Sequence, residues 1–270
     1  MKVTILVDNV SHNGIPGEWG FSAYIEHKGN HILLDTGASD LFLENAEQLG
    51  LSIEDVDYAV LSHAHYDHSN GMACFFEHNG HAKFFLQEGA KENCYFKKFI
   101  LKKYIGLPKE ITKQYPDRIE YVSGLYHLCE DACLLSHTSP GLEKIGKRES
   151  MYQKTARGWR PDNFCHEQNL ILDTDDGLVI FNSCSHGGVI NSINEVKLAF
   201  PGRKLKAFIG GFHIFSRPEN EIRKLAEQIR KTGVEQIYTG HCSKERGCSI
   251  LKDVLGDMVH SFYVGLELSF

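Results

Sequence analysis

The chain has 270 residues, 42% of them hydrophobic and 24% charged, and a net charge of −6 from 35 acids against 29 bases. That length buries a sizeable core in one large domain or two small ones, and the composition excludes fibrous and disordered classes. The acidic balance disfavours bulk binding to nucleic acid or to an anionic membrane, leaving room only for a local basic patch.

The chain opens MKVTILVDNV, where Asp8 interrupts a short apolar run. No segment there is long enough for a signal peptide or a membrane span, so a soluble cytoplasmic protein is expected. Residues 2–7 predict a strand, and Gly14, Pro16, Gly17 and Gly20 a loop. Residues 21–26 and 31–35 predict two strands joined by a turn at Lys28-Gly29-Asn30. Helical spacing over 40–49, with Asp40 as a cap and Gly50 beyond the end, predicts a helix. Residues 58–62 predict a short buried strand running straight into His63-Ala-His65-Tyr-Asp67-His68.

From about 83 to 165 the pattern loosens, as in an inserted or loop-rich segment. It predicts a strand at 83–87, a helix across 90–104, strands near 119–123 and 132–137, and a long surface loop over 140–164. Regularity then returns: a hairpin of 168–173 and 178–182, a helix at 191–199, a strand at 205–210, a helix at 219–232, a strand at 235–239 and a helix near 248–255. The similar rhythm of 1–80 and 165–260 suggests two packed βα halves in a single domain spanning 1–270, with helices on both outer faces of β-sheet.

Several strand-like runs end in a metal-ligating residue: HILL in Asp35, YAVLS in His63, LVIFNS in Cys184 and then His186, KAFIGGF in His213, EQIYTG in His241. Sites in layered α/β proteins lie at the carboxyl ends of strands, so these endings predict one convergent edge. Imidazole is a strong ligand near neutral pH. His63 and His65 can grip one ion from an extended segment, and Asp67 and His68 can face a second, leaving room for a clamped hydroxide. The eight cysteines need no disulfide framework, and Cys129 and Cys133 read as structural.

Residues 60–71 (VLSHAHYDHSNG), preceded by Asp35-Thr36-Gly37, resemble the HxHxDH signature of the metallo-β-lactamase superfamily over nearly the whole chain. The segments NSCSHGG, GGFH and TGHCS, with LVDN at the start, resemble the branch that includes 7,8-dihydropterin-6-yl-methyl-4-(β-D-ribofuranosyl)aminobenzene 5′-phosphate synthases. The resemblance implies a four-layer αββα sandwich of class α/β and two divalent metal ions, zinc first, with manganese or iron as alternatives. It implies that His63 and His65 bind one metal, completed by His166, and that Asp67 and His68 bind the other, completed by His241. Asp35 would support a ligand by hydrogen bond. Where the superfamily usually carries a bridging aspartate, this chain has Cys184, with His186 two residues on, and the choice between them stays open. His213 is assigned proton transfer or substrate contact, and its role could be exchanged with that of His241.

The expected activity is hydrolysis of a small anionic substrate, a phosphate ester first, by a metal-activated hydroxide oriented by Asp67. Lys154, Arg157 and Arg160, in the basic loop leading to His166, are the expected substrate contacts. No nucleic-acid or membrane partner is expected, and oligomeric state is not readable. The alternatives are an iron-dependent redox enzyme of persulfide dioxygenase type and a non-catalytic metabolite sensor.

Overall fold

A computed structural model describes residues 1–270. The first sheet has seven strands in the spatial order Glu267–Ser269, Lys2–Val7, Ser22–His27, Asn30–Leu34, Tyr58–Val60, Lys83–Gln87, Ile119–Val122. The second also has seven: Val259–Ser261, Gln236–Thr239, Leu205–Ile209, Gly177–Phe181, Gln168–Thr174, Ala132–Ser136, Leu125–Cys129. In each sheet one half is antiparallel and the other parallel; the parallel pairs run from Asn30–Leu34 to Ile119–Val122 and from Gly177–Phe181 to Val259–Ser261.

Side-chain alternation along the strands sorts the apolar residues into three cores. Val3, Ile5, Ile25, Ile32 and Val60 of the first sheet meet Leu134, Leu170, Leu172, Val179 and Phe181 of the second. The outer face of the first sheet, through Leu33, Ala59 and Phe84, packs on Phe42, Ala46 and Phe75 of helices Leu41–Gln48 and Met72–His78. The outer face of the second, through Ile180, Phe208 and Ile237, packs on helices Val189–Ala199, Glu219–Arg230 and Lys244–Leu255. The order helix, sheet, sheet, helix is the αββα sandwich.

The loosely patterned segment departs from expectation. Residues 90–104 form no helix: Cys94–Lys98 and Leu101–Tyr104 are a β-hairpin. The span 140–164 is not a bare loop, since it holds helix Glu143–Arg148 and strands Met151–Thr155 and Gly158–Pro161. The two hairpins join through Met151–Thr155 and Cys94–Lys98 into a third, four-stranded sheet. The sequence YFKKFILKKY has apolar residues at spacings that suit either periodicity. Its aromatic and β-branched content, and a partner strand remote in sequence, decide for β.

Candidate metal centre

The residues following Tyr58–Val60 are held by a chain of polar contacts. His65 caps the short helix Tyr66–Ser69 in extended conformation, and the Ser69 hydroxyl donates to its carbonyl at 2.8 Å. The amide of Thr36 donates to the carbonyl of His68 at 2.8 Å, and that of Phe21 to the carbonyl of Asp67 at 3.2 Å. On the second sheet, Asn182 builds the turn after Gly177–Phe181. Its Oδ1 accepts the Ser185 amide at 2.8 Å, and its Nδ2 donates to Asn169 Oδ1 and to Ser192 Oγ. Asp35, Ser185, His213 and His241 all sit at strand ends with φ between 45° and 60°. Left-handed non-glycine residues are uncommon, and their clustering at one edge marks a place where the fold imposes side-chain direction.

That edge gathers His63, His65, Asp67, His68, Cys184, His186, His213 and His241. One set of ligand atoms within 4.8 Å of one another comprises His63, His65 and His186; another comprises Asp67, His68 and His241; a third, His63, His68 and Cys184, draws on both. His65 Nδ1 lies 3.1 Å from His186 Nε2, and Cys184 Sγ lies 3.3 Å from His68 Nε2. Asp67 Oδ2 is 3.6 Å from His241 Nε2 and 4.0 Å from His68 Nε2.

Around this group stand the partners that orient it. Asp35 accepts the Ser62 amide and hydroxyl, each at 2.7 Å, and the Nδ1 proton of His68 at 2.7 Å. The Ser62 hydroxyl in turn sits 2.9 Å from His63 Nδ1. Asn9 Oδ1 lies 3.2 Å from His241 Nδ1, and Asp8 Oδ1 accepts the His241 amide at 2.7 Å. With Nδ1 as the donor, the ring contacts of His63 and His241 leave Nε2 of each as a lone pair. His63 Nε2, His65 Nε2, His186 Nδ1, His213 Nδ1 and His241 Nε2 are all buried with no hydrogen-bond partner. Burial, then mutual repulsion among the imidazoles, holds the pKa values of His63, His65, His186 and His241 well below the usual histidine range. Burial would lower His68 too, but Asp35 and Asp67 raise it on balance.

His166 is set apart. Its Nδ1 accepts the Ala64 amide at 3.2 Å and its Nε2 faces Asp162 at 3.1 Å, so both ring nitrogens are engaged. Its nearest ligating neighbours are His65, Cys94 and Asp162 rather than His63 and His186. The predicted substrate cations are also displaced. Trp19, Phe96, Lys103, Met151 and Phe215 line the cavity of about 320 Å³ over the histidines. Lys154 and Arg160 line a different cavity, of about 500 Å³, and Arg157 is exposed at the turn between Met151–Thr155 and Gly158–Pro161. Sequence reading missed Lys103, Asn9, Trp19 and Arg217. The dense run KKFILKK was the one available signal for Lys103, and LVDN the one for Asn9.

The metallo-beta-lactamase superfamily pattern matches residues 20–155, half of the chain. This chain belongs to the metallo-beta-lactamase superfamily. A 7,8-dihydropterin-6-methyl-4-(beta-D-ribofuranosyl)-aminobenzene-5'-phosphate synthase from Methanocaldococcus jannaschii is 26% identical over 264 residues, spanning 90% of this chain and 87% of that one. The crystal structure of a metal-dependent hydrolase of the beta-lactamase superfamily superposes with a TM-score of 0.86 at 27% identity, covering 100% of this chain and 99% of the other. Zn(2+)-bound PqqB from Methylobacterium extorquens shares the fold, with a TM-score of 0.61 at 11% identity and 100% coverage of both chains. No helix is long and apolar enough to cross a membrane.

Proposed function

We propose that this superfamily member is a metal-dependent hydrolase of a small anionic substrate, with a phosphate ester as first candidate. The observation that carries the reading is the set of buried, unpartnered imidazole nitrogens gathered beside the Asp67 carboxylate, those of His65, His186, His213 and His241 belonging to residues that line one cavity. A buried polar atom left unpaired costs about 1–3 kcal/mol, and neutral imidazoles gathered this closely suit a divalent cation. His63, His65 and His186 would hold one ion. Asp67, His68 and His241 would hold a second, with Cys184 in the shared position. His186 thus takes the place first expected of His166, whose nitrogens are already engaged. Zinc suits this mixture of imidazole, carboxylate and thiol, with manganese and iron as rivals. Bound there, such ions supply Lewis acidity and bring the pKa of a coordinated water towards ~7.

The chain's own residues supply the rest. Asp67, lifted above the usual carboxylate range by burial, is placed to accept a hydrogen bond from the attacking water and so orient it. His213 is pushed down to about 3, by burial and then by the charges of Arg217 and Arg148. It is therefore uncharged at neutral pH, and it contacts substrate as a hydrogen-bonding partner rather than as a ready acid. Arg217, whose Nε is buried and unpartnered, Arg148 nearby and Lys103 in the cavity wall make the surroundings attractive to an anion. Trp19, Phe96 and Phe215 exclude water from the reacting centre. The cavity has the size for a small metabolite of the cytoplasm. The M. jannaschii relative, named as a synthase of a 5'-phosphate, supports a phosphate-bearing substrate.

The test is metal analysis by plasma mass spectrometry on protein purified without a His-tag or added metal, alongside turnover of phosphate esters. About two equivalents of zinc or manganese per chain are expected, and Asp67→Ala should lower kcat by about 100-fold or more with the fold intact. One equivalent of iron, or full activity in the variant, would overturn the reading.

A further inference from the structure

The tip of the hairpin Cys94–Lys98/Leu101–Tyr104 makes three locally unfavourable choices at once. Phe99 occupies a left-handed turn position with φ of 53°, where Asn or Gly is preferred and a bulky residue is strained. Phe99 and Ile100 are 89% and 97% exposed, and Leu101 is 59% exposed. Lys97 and Lys102 stand directly opposite each other across the two strands, a like-charge pairing that weakens a hairpin. Four lysines, Lys97, Lys98, Lys102 and Lys103, flank the apolar tip. The adjoining hairpin adds Lys154, Arg157 and Arg160. Residues 94–104 and 151–161 contain no carboxylate, within a chain whose net charge is −6.

We infer that this tip docks on an anionic lipid bilayer, with Phe99, Ile100 and Leu101 entering the interfacial region and Lys97, Lys98 and Lys102 meeting headgroup phosphates. Such a surface offers hydrocarbon to the exposed side chains and negative charge to the opposed lysines, and so relieves two of the three costs. Pairing of two such tips is disfavoured, because it would bring like charge together. The aromatic rings of the small sheet are engaged with one another and with lysines: Tyr95 with Trp159 and Tyr104, Lys97 over Tyr152, Lys102 over Trp159. Those four rings are thus not free to stack on bases, and Phe99 alone makes no stacking platform, which argues against nucleic acid. The exposed tip combines one aromatic and two aliphatic side chains, a composition suited to the headgroup–acyl boundary. Overall charge pointed away from membranes, but the binding element is one hairpin of opposite sign. Phe96 and Lys103 of that hairpin also line the cavity over the histidines, so docking would bring the cavity mouth close to the lipid surface.

The test is vesicle co-sedimentation of the full chain with phosphatidylcholine alone and with an equal mixture of phosphatidylcholine and phosphatidylglycerol. The comparison protein carries Phe99→Asn with Ile100→Gly. Asn-Gly is the favoured two-residue hairpin turn, so this variant should fold at least as well as the parent. Expected is binding to the anionic vesicles only, weakened by salt and reduced about tenfold or more in the variant. Parent protein left in the supernatant with both vesicle types overturns the inference, as does equal binding by the variant. Self-association that depends on Phe99 and Ile100, in the absence of vesicle binding, also overturns it and gives the tip to a second copy.

Discussion

Asn9 decides which nitrogen of His241 faces the cavity. Its Oδ1 takes the Nδ1 proton, its Nδ2 donates to the His241 carbonyl at 2.8 Å, and the ring is left with a buried lone pair on Nε2. A ligand held this way binds metal more tightly because its tautomer and orientation are fixed beforehand. Asn9→Ala should therefore weaken the affinity for one of the two ions by about 10–100-fold and leave the other close to its parent value. Asn9→Asp, which keeps the acceptor, should restore most of the loss. Competition against a chromophoric chelator measures both steps; two ions bound with parental affinity in Asn9→Ala would remove Asn9 from the role. Asp35 does the same work for two ligands at once, holding His68 directly and His63 through the Ser62 hydroxyl.

The turn carrying Cys184 and His186 is held from behind by a buried ionic clamp. Glu167 accepts the amides of His186 and Gly187 at 2.8 and 2.7 Å. Glu195 accepts those of Thr138 and Ser139, and His137 bridges the two carboxylates at 2.7 Å on each side. Gly187 lies so close to the His137 ring that a Cβ there would collide with it. Burial opposes a charge on His137, but the two glutamates prevail and raise its pKa to about 10. Because the folded value lies above the ordinary 6.5, the stabilisation is complete below about pH 6.5 and is lost as pH rises through about 10. Between those limits His137 should lower the unfolding free energy by about 1.4 kcal/mol per pH unit. His137→Gln should make that slope shallower by this group's share and cost about 3–5 kcal/mol near neutrality, since it leaves two buried carboxylates without a cation. Urea titrations across pH decide it, and a parent protein with the same slope as the variant would refute the clamp.

This clamp was invisible in the sequence, because its three members come from distant elements and none carries a motif. The convergence of strand-ending histidines and cysteine on one edge was legible, because an apolar run stopping at His63, Cys184, His213 or His241 announces its own direction. The sandwich was legible for the same reason: strands buried on both faces read as continuous apolar runs. The small sheet was not, since YFKKFILKKY satisfies a helical period and its β partner lies some fifty residues on. The order of the imidazoles was not legible either. Only the packed structure shows that Ala64 and Asp162 occupy His166 while His186 turns its ring towards His63 and His65.

At the scale of the whole molecule, the site is a seam between the two sheets. His63, His65, Asp67 and His68 follow a strand of the first sheet; Cys184, His186 and His241 follow strands of the second. Hydrogen bonds already cross that edge, from Ala64 to His166, from Gln168 to Ser62 and between His241 and Asp8 and Asn9; ions bound here would add further ties, and a ligand that binds only the folded state adds to stability by mass action. With free metal at about 1,000 times its dissociation constant, the gain is about 4 kcal/mol for each ion. For a chain of this size one kcal/mol moves Tm by about 2–4 °C, so chelation should lower Tm by about 10 °C or more. Readdition of zinc should restore it. The control is a chain with His63→Ala and His186→Ala, which removes two of the three imidazoles from one set and should respond to chelator about half as strongly as the parent. If chelator leaves the parent Tm unchanged while metal analysis records two bound ions, the ions do not tie the sheets together, and the orphaned imidazoles must find their partners in another way.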